Sequence, residues 1–287
     1  FIYTLKMDTY STIKKYLFKS LKDLYPSSEI DHIFFLILFK VMKWKKIDFI
    51  LNKHEIPEEE LLNYLNQVIP KLKQNIPIQH ILGFVSFYDL ELKVNKDVLI
   101  PRPETEELVY KVISELSFTD KSLLDIGTGS GCIPLAVKNK CPELVCVGID
   151  VSALAIAVAK ENADSLGLEV DFVQQDVFSL PFISTVVDVI VSNPPYIPKM
   201  EIDSMSPNVL DYEPHSALFV EDDNPLLFYQ QIAKIGRDIL NKNGKIYFEI
   251  HENFGDQVVN LLTNLNYSNI SLCKDLQGKD RIVKASK

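Results

Sequence analysis

The chain predicts an α/β protein built on a largely parallel sheet with helices on both faces, preceded by a small helical bundle domain and a linking β-hairpin. Three observations predict it. From Ser122 onward the pattern repeats strand, loop, helix, the arrangement that places helices over both faces of a parallel sheet. From Tyr10 to Leu82 the periodicity is helical, with few strand signals. Between them "GFVSFYDLELKVN" alternates Val85, Phe87, Leu90, Leu92 and Val94 with polar residues, with one slip near Tyr88 and Asp89, as a hairpin does.

Taken in order, "STIKKYLFKSLKDLY" puts Ile13, Leu17, Leu21 and Leu24 on one helix face. "PEEELLNYLNQVIPKL" opens with proline and acids, which suit a helix N-terminus. The candidate strands of the sheet are Leu123 to Gly127, Val145 to Asp150, Asp171 to Asp176, Val187 to Asn193 and Lys245 to Ile250. "NISLCKD" and "DRIVKAS" flank the turn "LQGK" and read as a terminal antiparallel hairpin.

Composition narrows the function. Apolar residues make up 47% and charged ones 24% of the 287 residues, ordinary for a globular protein and enough for one large and one small domain. The most apolar run, Ile33 to Met42, contains Lys40 and falls short of the roughly 20 residues of a membrane helix, so no membrane partner is expected. The first residues lack a secretory pattern, and Met7 is the expected natural start with an extension before it. Cys132, Cys141, Cys146 and Cys273 form no CxxC pair and stand near no histidine at zinc-ligand spacing; reduced thiols, no metal and a cytoplasmic location are expected. A formal net charge of −9 argues against tight binding of nucleic acid. It suits a small-molecule enzyme or one with a basic macromolecular partner.

Two motifs carry chemistry. "LLDIGTGSGCIPLAV" places Gly127, Thr128, Gly129, Ser130 and Gly131 directly after a strand and before a helix. Glycines there permit a tight turn and close backbone approach to a ligand, and Asp150, which ends the next strand 19 positions after Gly131, can accept both hydroxyls of a ribose. Asp125 just before the loop, and Asp176 with Phe178 after the third strand, suit an adenine amino group and its ring. They equally suit a turn acid and a core aromatic.

The second motif is "NPPY", Asn193 to Tyr196, at the end of the fourth strand. Pro194 and Pro195 make it stiff and extended. In an open parallel sheet this end faces the ligand crevice. The Asn193 side-chain oxygen and the Pro194 carbonyl are two acceptors suited to a planar NH2 group, and Tyr196 can stack on it. In "IPRPETE", Arg102 and Glu104 read either as a clamp or substrate entrance, or as a surface ion pair at a helix start. Glu249 and His251 end a strand on the ligand side with no chemistry assigned.

On the loop "DIGTGSG" and Asp150, the stretch from Leu99 to Lys287 resembles the class I methyltransferases that use S-adenosylmethionine. The resemblance implies a Rossmann-like seven-stranded sheet whose last strand is antiparallel. "NPPY" resembles the signature of enzymes that methylate exocyclic or amide nitrogens. With "VLIPRPETEELV", "NPPYIP" and "YEPHSAL" (Tyr212 to Leu218), almost the whole chain resembles the bacterial release factor glutamine methyltransferases.

That resemblance implies transfer of a methyl group from S-adenosylmethionine, leaving S-adenosylhomocysteine, to the side-chain amide (N5) of the glutamine in the GGQ motif of class I peptide chain release factors. It places the cofactor on Asp125, residues 127–131, Asp150, Asp176, Phe178 and Asn193. It places the substrate on Asn193, Pro194, Pro195, Tyr196 and Arg102, with Asn193, Pro194 and Tyr196 catalytic. The expected domains are 1–82 for factor recognition, 83–100 as hairpin linker and 101–287 for catalysis, in a monomer. Competing readings are a ribosomal-protein glutamine methyltransferase, a DNA adenine N6-methyltransferase, which should carry a basic groove, and a non-catalytic nucleoside-binding module with no use for "NPPY".

Overall fold

Thr9 accepts from the Thr12 amide while the Thr12 side chain accepts from the Thr9 amide, a reciprocal cap that starts the first helix. The computed structural model describes residues 8–179 and 186–287; the expected start at Met7 lies outside them. The chain divides into two compact units, the first ending at Gly83 and the second running from Phe84 to Lys287.

The first unit holds α1 (Tyr10–Leu21), α2 (Ser27–Met42), α3 (Lys46–Asn52), α4 (Glu59–Leu72) and α5 (Ile78–Leu82). Ile13, Leu17 and Leu21 of α1 are fully buried. Leu24, expected on the same face, is half exposed because the helix ends at Leu21. The apolar run is the interior of α2, with Ile33, Phe34, Ile37 and Leu38 buried. Among the described residues no helix is long and apolar enough to cross a membrane.

The second unit begins with the hairpin β1 (Phe84–Phe87) and β2 (Leu90–Lys93). Tyr88 and Asp89 both have positive φ, 47° and 67°, as a two-residue type I′ turn requires. That turn is the slip in the alternation. Phe87, Leu90 and Leu92 pack into the core of this unit, so the hairpin is part of the second unit and not a separate linker.

Then come α6 (Pro103–Glu115), β3 (Ser122–Ile126), α7 (Cys132–Lys140), β4 (Val145–Asp150), α8 (Ala153–Leu166), β5 (Asp171–Gln174), β6 (Val187–Ser192), β7 (Ile197–Pro198), α9 (Pro207–Leu210), β8 (Phe219–Val220), α10 (Leu227–Ile239), β9 (Leu240–Glu249), α11 (Gly255–Asn264), β10 (Ser268–Lys274) and β11 (Asp280–Ser286). Seven strands form one sheet in the order β10-β11-β9-β6-β3-β4-β5. All pairings are parallel except those of β11 with β9 and β10. β9 starts earlier than the expected Lys245: Leu240 already pairs with Val187, and the register then shifts before Lys245 meets Val189.

The chain runs outward from β3 through β4 to β5 and then returns to β6 on the other side of β3. This reversal splays the loops after β3 and β6 apart and opens a crevice at their carboxyl ends. β6 and β3 themselves are buried on both faces, with Val189 and Val191 in one core layer and Leu124, Ile126 and Ile190 in the other.

Candidate active site

The crevice at this reversal has about 910 Å3 of open space, counting the solvent at its mouth. Gly127 and Gly129, Asp150, Asp176, and Asn193 to Pro195 all line it. The three glycines of the loop have φ of 78°, 55° and 80°, a region that side-chain-bearing residues rarely adopt. A Cβ on Gly129 would meet nothing within 4 Å, and one on Gly127 only the Asn193 carbonyl oxygen at 4.0 Å. The backbone there is bare toward the crevice. Gly131 differs: a Cβ would stand 2.8 Å from the Phe172 ring, so it serves close packing of α7 on the sheet.

Asp150 accepts from the Gly129 amide through Oδ2 and from the Ser152 amide through Oδ1, both at 2.9 Å. A carboxylate has about four acceptor positions, so one on each oxygen is left for a vicinal diol. Burial raises its pKa, and the amide bonds oppose the rise. Asp176 accepts from the Phe178 amide at 2.9 Å, a turn acid that also lines the crevice. The Phe178 ring is off the lining; it packs edge-on against Phe228, 5.3 Å away, which is on it.

Asp125, Thr128, Ser130, Gly131, Tyr196 and Arg102 are not on the lining. Successive side chains of a strand point to opposite faces, and Ile126 takes the crevice side. Asp125 is fully buried beneath the loop, and neither of its oxygens meets a hydrogen-bond donor among the described residues; the Thr128 and Ser130 hydroxyls are also unpartnered. Burial pushes the Asp125 carboxyl up to about 7, and Asp150 adds to the rise. Buried acceptors left unmatched suit a ligand that brings N–H donors, such as an ammonium group.

The sign of the linkage is then set. The folded state keeps a proton that the unfolded chain releases near pH 4, so this group costs stability as pH rises from about 4 to about 7. Without ligand, Asp125→Asn should gain on the wild type by up to about 4 kcal/mol across that interval. Melting curves at pH 5 and pH 8 check it, and an equal temperature difference at both would refute the assignment.

Arg102 pairs across 111 residues of chain with Glu213 at 2.6 Å, while the second Glu213 oxygen accepts from the Ile100 amide at 3.0 Å. The surface pair considered for "IPRPETE" is therefore wrong: Arg102 anchors the buried acid of "YEPHSAL", whose Pro214, Ser216 and Ala217 form crevice wall. β7 and β8 pair in parallel over two residues, and the Ile197 amide donates to Leu218 at 3.0 Å. The "NPPY" tetrapeptide is thus held by β6 at one end and by β7 at the other.

Around it lies a buried polar chain that the sequence reading did not assemble. The Asn193 Nδ2 donates to Thr105 Oγ1 at 3.2 Å. Thr105 Oγ1 donates to Glu249 Oε2 at 2.7 Å, and Tyr196 Oη donates to Glu249 Oε1 at 3.1 Å. Burial and the nearby Glu249 raise the Tyr196 pKa, so it stays a phenol. His251 accepts the Asn253 amide on Nδ1 and lies 3.2 Å from Glu201 through Nε2, a structural role.

The comparisons agree with this architecture along the whole chain. A family model described as methyltransferase small domain matches residues 105–209, and one described as PrmC N-terminal domain matches residues 15–83. A solved methyltransferase from Pyrococcus furiosus superposes with a TM-score of 0.53 at 16% identity, over 78% of this chain and 98% of its own. That likeness supports the fold alone. Two curated relatives go further: the release factor glutamine methyltransferase of Bacteroides thetaiotaomicron is 40% identical over 96% of this chain and 99% of its own length. That of Flavobacterium psychrophilum is 39% identical over 93% and 95%. With near-complete coverage in both directions, and with both domain models in their expected order, the chain belongs to the release factor glutamine methyltransferase family.

Proposed function

We propose that this enzyme transfers the methyl group of S-adenosylmethionine to the side-chain amide nitrogen (N5) of the glutamine in the GGQ motif of class I peptide chain release factors, as a cytoplasmic monomer acting on protein and not on nucleic acid. One observation carries the reading: Asn193 and Pro194 line the same crevice as Gly127, Gly129 and Asp150. An acceptor for amide N–H groups and a holder for a nucleoside therefore share one space.

The residues fit the cofactor by their donor set. Asp150 has acceptor positions for two ribose hydroxyls, Asp176 and Val177 border the end of the crevice suited to a base, and the bare loop backbone allows close approach. When bound, S-adenosylmethionine supplies a methyl group on a sulfonium, whose thioether leaving group needs no acid. The protein's part is then to position the acceptor.

A primary amide offers two N–H donors and a delocalised lone pair. Asn193 Oδ1 and the Pro194 carbonyl accept one N–H each, which fixes the nitrogen and favours its pyramidalisation as the N–C bond forms and the S–C bond breaks. The methylated nitrogen is strongly acidic and loses its extra proton to water, so no general base is needed. Tyr196, tied to Glu249, braces the tetrapeptide; its hydroxyl lies outside the crevice lining.

The names and near-full coverage of the relatives favour release factors over a ribosomal protein. The net charge of −9 weighs against DNA. Incubation with purified release factor and S-adenosylmethionine, followed by peptide mass spectrometry, should find one methyl group on the GGQ glutamine. Methylation of a ribosomal protein or DNA in its place would overturn the reading.

The helical domain, residues 1–82, and the hairpin at 83–100 are proposed to bind the body of the factor while residues 101–287 perform catalysis. Removal of the residues before Gly83 should abolish methylation of the whole factor while S-adenosylhomocysteine still binds. Unchanged turnover on the whole factor would end this division of labour.

A further inference from the structure

Glu249 is the last residue of β9. β6 lies on one side of that strand, with Ser192 opposite Phe248, and β11 on the other, with Ile282 opposite Glu249. The carboxylate consequently rises beside the point where β6 gives way to Asn193. It is almost fully buried, at 1% exposure, and both oxygens are engaged, one by Thr105 and one by Tyr196. It thereby ties α6 to the far end of the "NPPY" tetrapeptide, and through Thr105 it reaches the near end as well.

Direction matters in this chain. An ionised carboxylate only accepts, so the Thr105 proton is committed to Glu249 and only lone pairs of Thr105 face Asn193. The NH2 half of the Asn193 amide satisfies those lone pairs at 3.2 Å; the oxygen half would set acceptor against acceptor. Oδ1 is left for the other side. A primary amide is nearly symmetric in shape, so packing alone discriminates poorly between its two orientations. A hydrogen-bond chain anchored on a charge does discriminate.

Both Glu249 oxygens accept, one from the Thr105 hydroxyl and one from the Tyr196 hydroxyl, and this acceptor role anchors the chain. Arg281, itself held by Asp275 at 3.2 Å and by the Ile250 carbonyl at 3.2 Å, favours the charged form, as do the Thr105 and Tyr196 hydroxyls. Burial outweighs these and raises the Glu249 pKa, with Glu104 adding to the rise. The Tyr229 hydroxyl donates to the Glu249 backbone carbonyl at 3.1 Å and leaves the carboxylate alone.

We propose that Glu249 is a positioning residue that sets the side-chain amide of Asn193 by way of Thr105, so that Asn193 meets the substrate amide with its oxygen and not its NH2. The inference rests on the methyl transfer to glutamine proposed above, since only an NH2-bearing acceptor requires that orientation. It assigns a purpose to two residues, Thr105 of "RPETE" and Glu249 of "FEIHENFG", that touch no reacting atom.

The test uses the full chain, purified release factor and S-adenosylmethionine. Wild-type enzyme that leaves the factor unmodified defeats the underlying function, and this inference with it, before any variant is made. Given wild-type turnover, Thr105→Val removes the relay hydroxyl. Glu249→Met removes its anchor, so the Thr105 proton turns toward Asn193 and favours the opposite amide orientation. Each should cut kcat about 100-fold, with KM for the factor and the S-adenosylhomocysteine Kd changed by less than about threefold.

Thr105→Ser, which keeps the hydroxyl, should stay within about threefold of wild type, and the double variant should lose no more than the worse single one, because the two act in one chain. Wild-type kcat in Thr105→Val or Glu249→Met, equal loss in Thr105→Ser and Thr105→Val, or multiplied losses in the double variant would each overturn the relay. Should Glu249→Met fail to bind S-adenosylhomocysteine, the serine and valine pair at 105 decides alone, since both keep the buried carboxylate.

Discussion

Asn193→Ala is expected to lower kcat about 1,000-fold while S-adenosylmethionine affinity stays within about threefold. Alanine deletes one of the two acceptors proposed to hold the substrate nitrogen. Loss of one such preorganised polar partner costs about 3–4 kcal/mol in the transition state, which is two to three orders of magnitude in rate. The upper end applies here because the Asn193 side chain is fastened by Thr105 at 3.2 Å and its orientation is already set before substrate arrives. Cofactor binding is spared because the acid proposed to bind the diol stands on β4, and Gly127 of the loop faces the backbone carbonyl of residue 193, which alanine keeps. Single-turnover kinetics with calorimetry of cofactor binding separates the two quantities. An equal loss in both would make Asn193 chiefly a cofactor contact.

Asp150→Ala should do the reverse, raising the cofactor Kd by about two to four orders of magnitude with less than tenfold change in kcat at saturation. Hydrogen bonds to a charged group contribute about 1.5–3 kcal/mol each, and Asp150 has one acceptor position on each oxygen for a ribose hydroxyl after the Gly129 and Ser152 amides are served. The substitution also strips those amides of their acceptor, and Gly129 lies in the loop that must stay folded back for close approach. Titration of wild type and variant with S-adenosylhomocysteine measures the effect. A Kd within tenfold of wild type would show that the diol is held elsewhere.

Much of this molecule is legible in its sequence, and what escapes has a common cause. The repeated strand, loop and helix pattern is local, since each strand carries its own apolar run and each loop its own glycine or acid. The parallel sheet, the crevice and the set Gly127, Gly129, Asp150 and Asn193 follow from it. Asp125 is off the crevice lining because strand alternation, applied from Ile126, turns it to the opposite face. That placement is legible in the sequence.

The partners of Arg102 and Thr105 were not available in that way. They lie 111 and 144 residues away in the chain, and no local pattern distinguishes Glu213 from any other acid. Glu249 and His251 look equivalent in "FEIHENFG", two positions apart on the same side of the strand. Their surroundings separate them: hydroxyls on both carboxylate oxygens of one, a backbone amide and a solvent-facing acid on the other. Likewise, the two-residue strands β7 and β8 are too short to have a period and exist only because they find each other.

That small pairing has a further effect on the part of the chain it encloses. The polypeptide leaves the tetrapeptide at Pro198 and comes back beside it at Phe219, with those two points fastened side by side. Between them runs an excursion containing the turn Lys199–Ser204 and the short α9. Lengthening such a closed loop costs free energy only as the logarithm of its length, and the fastening keeps any change from reaching the tetrapeptide. A single stretch of chain is therefore split into a part whose shape must be constant for chemistry, the tetrapeptide together with Glu213 and the crevice wall at Pro214, Ser216 and Ala217, and a part from Lys199 to Leu210 at liberty to drift.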